Sequence, residues 1–245
     1  MSFATYCQLV EKITQWNYAY HVRDESLIED AEYDAAFIQL QTIEMAHPEW
    51  VLPESPSQRV GAPASSSFQK ITHEMKMLSL SNAFSLSDTW DFFVKAAKEL
   101  ECDVDTLPIL SEPKLDGLAI SLRYEKGILR YGATRGDGQI GEDVTHTIKT
   151  IASIPLKLFT QDPPEVFEVR GEVFMSKAVF EQINVLAQQE NGRLFVNPRN
   201  AAAGTIRQLN PKIAAERALQ FMPYGIGIYL GEKVFTAHSQ ILTYL

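Results

Sequence analysis

Apolar residues at Phe3, Tyr6, Leu9, Val10, Ile13, Trp16 and Tyr20 recur at the spacing of one helical face. Residues 22–29 break that pattern. Asp30 is then expected to cap a second helix whose stripe is Tyr33, Phe37, Leu40 and Ile43, with Pro48 just past its end. Residues 1–50 thus read as a helical hairpin. Residues 51–67 are rich in proline and serine and form the best domain boundary in the chain. Ser85, with Asp88 three residues on, predicts a capping box for a third helix, with Trp90, Phe93, Ala97 and Leu100 on its apolar side.

From residue 107 the period changes to two. Residues 107–114, 117–124, 128–134 and 166–175 are predicted strands, and Glu125-Lys126-Gly127 is a hairpin turn. Ser176 caps a predicted helix running to Gln189, Pro198 suits a first helical turn, and 219–230 reads as a last strand. Helices and antiparallel hairpins are mixed rather than alternating, so the predicted class is α+β.

With 245 residues there is room for one large domain or a medium one with an appendage. A net charge of −9 excludes a chain that coats nucleic acid over its whole surface. Two cysteines, Cys7 and Cys102, are too few for a disulfide framework and fit reduced thiols in a cytosol. The N-terminus reads neither as a signal peptide nor as a membrane span.

The chemistry concentrates at SEPKLDGLAI, residues 111–120. On a strand, Glu112 and Lys114 share a face, as do Glu168, Arg170 and Glu172 of VFEVRGEVFM. If the two strands share a sheet, their polar faces line one cleft. A lysine with the ordinary pKa of about 10.4 is almost wholly an ammonium at neutral pH. A nucleophilic lysine therefore needs burial or a second cation, and Glu112 and Asp116 are better suited to orienting or ligand roles. A surface ion pair is the competing reading of Lys114. Arg199 and Arg207, eight positions apart, suit a phosphate-binding stripe or a solvated face. Residues 136–141, GDGQIG, fit the dinucleotide fingerprint GxGxxG. The proline-rich stretch after it replaces the second strand of a βαβ unit, so a turn-rich loop placing Arg135 is expected instead.

The string EPKLDG carries the KxDG motif of nucleotidyltransferases. The ordered segments AYHVRDESLIEDAEYD (19–34), SPSQRVG (55–61), MLSLSNAF (77–84), residues 112–145, EVRGEVF (168–174) and NPRNAAAGTIRQL (197–209) resemble the bacterial NAD-dependent DNA ligases from about residue 6 onward. That resemblance implies a helical subdomain over 1–60 that binds nicotinamide mononucleotide (NMN), then an ATP-grasp-like adenylation domain over 61–245. Lys114 would attack the adenylyl phosphorus of NAD, and Asp116 would organise that lysine and a magnesium ion held through substrate phosphates. Glu112, Leu115, Ser79, Leu80, Arg135 and Glu172 would contact the adenylate. Tyr20, His21, Asp30, Tyr33 and Asp34 would grip NMN, although two core tyrosines and a capping aspartate are the alternative. Arg199 and Arg207 would contact phosphates of nicked double-stranded DNA.

The same resemblance implies a bacterial cytoplasmic protein, expected to be a monomer without membrane contact. Thr147 stands where the family usually has asparagine. The family's later lysine motif, OB-fold, zinc module, helix-hairpin-helix repeats and BRCT domain have no counterpart in these residues. Slow or absent self-adenylation and no nick sealing by this chain alone are therefore expected. An NAD- or NMN-binding module without turnover, an ATP-using ligase or capping enzyme, and a dehydrogenase are the other readings.

Overall fold

The computed structural model describes residues 2–22, 25, 27–59, 68–190, 192 and 194–245, without the side chains of residues 20–22, 30 and 31. Helices α1 (Phe3–Val22) and α2 (Asp30–Ala46) form the hairpin, closed over Tyr6, Val10, Ile13, Trp16, Leu40 and Ile43. The cap of α2 is Glu29, with extended backbone, and Asp30 is the first helical residue. A carboxylate is favoured in a first turn by the helix dipole as well as at a cap, so the pattern alone does not separate the two. A buried polar lock joins the following chain to the hairpin. Tyr6 and Ser55 hydroxyls donate to one oxygen of Glu44 at 2.9 and 2.6 Å, and the Leu52 amide donates to Tyr6 at 3.1 Å.

After β1 (Lys70–Thr72) comes α3 (Leu86–Glu99), with the predicted reciprocal cap between Ser85 and Asp88. Then follow β2 (Leu118–Glu125), β3 (Ile128–Thr134), β4 (Ile140–Glu142), α4 (Thr145–Ile148), β5 (Val166–Phe174) and α5 (Lys177–Gln189). The chain continues through α6 (Pro198–Ile206), α7 (Pro211–Ala215), β6 (Gln220–Leu230) and α8 (His238–Tyr244). The main sheet is antiparallel throughout, in the order β3-β2-β5-β6, and β1 pairs with β4 beside it. One face of the sheet buries Ile120, Leu122, Tyr124, Val169 and Val173 against Ile148, Ala201, Ala202 and Ile206. The other face carries Glu168, Arg170 and Glu172. The class is α+β, as the periodicity predicts.

Two expectations fail or sharpen here. Residues 107–114 are not a strand: a short 3₁₀ turn, Val104–Thr106, leads into irregular chain up to Gly117. Pro108 and Pro113 lack the N–H that a ladder needs, which outweighs the apolar alternation. The segment GDGQIG is the turn from β3 into β4, as expected, with Gly136 and Gly138 at φ +57° and +93°. Asp137 accepts from the amides of Gln139 and Ile140, both at 2.8 Å, and these hold its carboxyl below the usual range.

The hairpin meets the sheet unit through Arg59, in the 3₁₀ turn Pro56–Arg59. Its guanidinium donates to the carbonyls of Lys149, Ile151 and Ile154, each at 3.2 Å. The Tyr18 and Phe159 rings add a contact at 4.2 Å between centroids.

Candidate active site

Lys114 lies on the irregular segment just before β2, so strand pairing does not place it. Gly117 does. A Cβ there would stand 2.1 Å from the Val173 carbonyl oxygen, so only glycine lets this segment lie against β5. The Gly117 amide donates to Glu172 Oε1 at 3.2 Å. The glycine of KLDG thus couples the lysine segment to the carboxylate on the polar face of β5.

Glu172 is half-buried and is the focus of the group. Burial pushes its carboxyl above the usual value. The Gly117 amide and the charges of Lys114, Arg199 and Arg135 oppose that rise. Arg135 comes from the first position after β3, where its amide donates to the Ala119 carbonyl at 3.0 Å. Arg199 comes from the first turn of α6 and binds Asp116 at 3.0 Å. That pair is exposed, 50% and 74% at the two side chains, so an incoming anion can displace it cheaply. Lys114, Arg135 and Arg199 bring three cations near Glu172 and Asp116, a supply of positive charge suited to phosphate.

Of the remaining expected residues, Leu115 is half-buried beside Lys114. Glu112 is paired with His238 Nε2 of α8 at 3.0 Å. Ser79 and Leu80 are exposed on an irregular segment, and no hydrogen bond joins them to the Lys114 group among the described residues. Arg207, just past α6, pairs with Glu142 at 3.0 Å rather than joining Arg199. Thr147 is fully buried and donates to the Gln208 carbonyl at 3.3 Å, a packing role.

In the hairpin, the Tyr33 hydroxyl donates to Asn17 at 3.0 Å, and burial pushes its phenol pKa up. Its ring stacks on Phe37 at 6.0 Å, so Tyr33 is in part a core residue. Asp34 is exposed, while the side chains of Tyr20, His21 and Asp30 lie outside the described residues. Arg59 and Tyr18 link the hairpin to the sheet unit at Lys149, Ile151, Ile154 and Phe159, rather than at Lys114. No cluster of three His, Cys, Asp or Glu side chains is placed to hold a metal among the described residues.

Sequence reasoning missed Tyr224. It projects from β6 into the field of Glu172, Arg170 and Arg135, with burial as the main cause of its raised pKa. The signal was available: Met222 and Tyr224 lie on one side of the alternation in QFMPYGIGIYL.

Comparison with known proteins matches residues 65–245 to the family described as NAD-dependent DNA ligase adenylation domain. Residues 3–61 match the DNA ligase-like, N-terminal NAD+-binding domain. The DNA ligase of Marinomonas sp. (strain MWYL1) is 50% identical over 230 residues, covering 94% of this chain and 34% of the relative. That of Azotobacter vinelandii is 49% identical over 235 residues, covering 96% and 30%. That of Legionella pneumophila (strain Corby) is 46% identical over 237 residues, covering 97% and 35%. The chain therefore spans about a third of the length of these relatives. It belongs to the NAD-dependent DNA ligase family, within which it corresponds to the N-terminal NAD+-binding and adenylation domains.

Proposed function

We propose that this chain performs the self-adenylation half-reaction of an NAD-dependent DNA ligase. The neutral amine of Lys114 attacks the adenylyl phosphorus of NAD. An N–P bond forms, the P–O bond of the pyrophosphate breaks, NMN leaves with the electron pair, and the lysine proton passes to solvent. NAD is a consumed substrate here, not a hydride carrier. The observation that carries the reading is the anchoring of the KLDG segment, with the Gly117 amide on Glu172 and Arg199 on Asp116, and with Lys114 and Arg135 within electrostatic reach of Glu172. Glu172 is suited to accept from ribose hydroxyls. The arginines are suited to hold the phosphate and stabilise the charge that builds on it.

Glu112 and Leu115, with Ser79 and Leu80 from the preceding segment, are assigned to the adenine. Asp116 is assigned to orienting Lys114, and Tyr20, His21, Asp30, Tyr33 and Asp34 to NMN. We divide the chain at residues 60 and 61 on this basis. Magnesium, when bound through the substrate phosphates, would neutralise phosphate charge; no cluster of three His, Cys, Asp or Glu side chains among the described residues is placed to hold it. Arg199 and Arg207 are assigned to phosphates of nicked DNA, and the setting proposed is the bacterial cytoplasm. A binding-only reading is favoured by one observation, the exposure of Lys114, which denies its amine the burial that favours a nucleophilic lysine.

Intact-mass measurement on AMP-free protein, with NAD or ATP and magnesium, tests the proposal against Lys114→Ala. A gain of one AMP from NAD alone, lost in the variant, is expected. No gain, with NAD bound by calorimetry, would leave the binding-only reading. Neither gain nor binding would overturn both.

A further inference from the structure

Arg170 lies two residues before Glu172 on the same face of β5, yet its guanidinium serves a different segment. Nη1 donates to the Lys76 carbonyl at 2.9 Å, and Nη2 donates to the Met75 carbonyl. Behind it stands Glu168, only 4% exposed. One oxygen of Glu168 accepts from Arg170 Nε at 3.0 Å, from Nη2 at 2.9 Å and from the Ser121 hydroxyl at 2.9 Å. A buried carboxylate is tolerable only with partners of this kind. The neighbouring strand makes room for the pair. A Cβ at Gly227 would stand 2.5 Å from Glu168 Oε1 and 2.9 Å from Arg170 Nε.

The segment so held is irregular from His73 to Phe84 and carries Ser79 and Leu80. Its other anchors lead back to the β3–β4 turn that presents Arg135. The His73 amide donates to Gln139 at 2.8 Å, and the Met77 amide donates to Gly138 at 2.9 Å. Glu74 pairs with Arg123 at 2.8 Å. A planar fork spanning two consecutive main-chain carbonyls fixes backbone position, which a point charge on a flexible stem does not.

We infer that Arg170, backed by Glu168, is a positioning residue of the nucleotide site, fixing the backbone at 75–77 and so the approach of Ser79 and Leu80 to it. The inference rests on the adenylation reading above. Arg170 does not touch reacting atoms; it acts through the segment it holds.

The test uses Arg170→Lys, which keeps the charge against Glu168 but loses the fork, alongside Arg170→Ala and the unaltered chain. Hydrogen exchange at the His73 and Met77 amides, read without ligand, is expected to quicken at least about tenfold in both variants. Exchange in the β2–β5 ladder should not change. With AMP as probe, the dissociation constant is expected to rise about tenfold or more, as is the KM for NAD, while the rate at saturating NAD stays near that of the unaltered chain. Unchanged exchange at His73 and Met77 would overturn the strut. Faster exchange with unchanged AMP affinity and KM would overturn its role at the site. If the unaltered chain neither binds AMP nor adenylates, the site reading falls and takes this role with it. The exchange data would still report the strut separately, so the two failures are distinguishable.

Discussion

Gly117 approaches Val173 so closely that a Cβ on the glycine would stand 2.1 Å from the valine's carbonyl oxygen. The atom in the way is main chain of an inner strand and cannot swing aside. Gly117→Ala should therefore force the lysine segment off β5, at a cost of about 1–3 kcal/mol as for overpacking elsewhere. Thermal denaturation checks the stability. A displacement of the order of 1 Å at Lys114 should slow adenylation about a hundredfold. An alanine variant with normal melting and normal adenylation would show that the close approach does not set the position of Lys114.

Glu172 gives a pH dependence with a definite sign. Its carboxyl is raised above the usual value of 4.5, chiefly by burial. The stabilisation it contributes is complete below the unfolded value and is lost as pH rises through the folded one. Glu172→Gln removes that titration. Relative to the unaltered chain, the variant should gain stability as pH climbs from 4 towards 7, while its AMP affinity falls. Melting temperatures across that range check the slope; a difference that does not vary with pH would refute it.

Arg59 supplies three donors to the carbonyls of Lys149, Ile151 and Ile154. Arg59→Met should leave those acceptors without their donors and cost roughly 1–3 kcal/mol. It should also loosen the hairpin from the sheet unit, visible as faster proteolysis near residue 59 while the β2–β5 ladder stays protected from exchange. Arg59→Lys should recover little, because one ammonium cannot span three carbonyls.

Asp116→Asn separates chemistry from folding. The Asp116–Arg199 pair is exposed, so its loss should move stability by less than about 1 kcal/mol. Adenylation should nonetheless slow if Asp116 orients Lys114. Calorimetric unfolding and single-turnover mass spectrometry on the same preparation decide between an orienting residue and a surface pair.

Much of this was legible in the chain. The alternation over 117–134 and 166–175 located β2, β3 and β5, and Ser85, Ser176 and Pro198 marked three helix starts, because period and capping chemistry are local. The polar face bearing Arg170 and Glu172 followed from the same alternation. What escaped was whatever depends on distant partners. The three-residue strands β1 and β4 are too short to show a period. The short helices α4, α7 and α8 carry too few turns to show a stripe. Residues 107–114 alternate like a strand but are overruled by two prolines. The alternation puts Tyr224 on one side of β6, but its place near Glu172, like the Arg170 strut, becomes visible only once β6 and residues 75–76 are placed against β5.

Among the described residues the sheet order leaves β6 as an outermost strand of eleven residues, the kind of edge on which a second molecule could build. Its pairing with β5 slips in register twice, and Pro223 brings no amide hydrogen to any new partner. Gly225 and Gly227 offer such a partner no side chains to grip. Helix α8 packs against the same strand. The edge is thus a poor template for intermolecular β-pairing, a protection against aggregation that does not depend on the protein's charge.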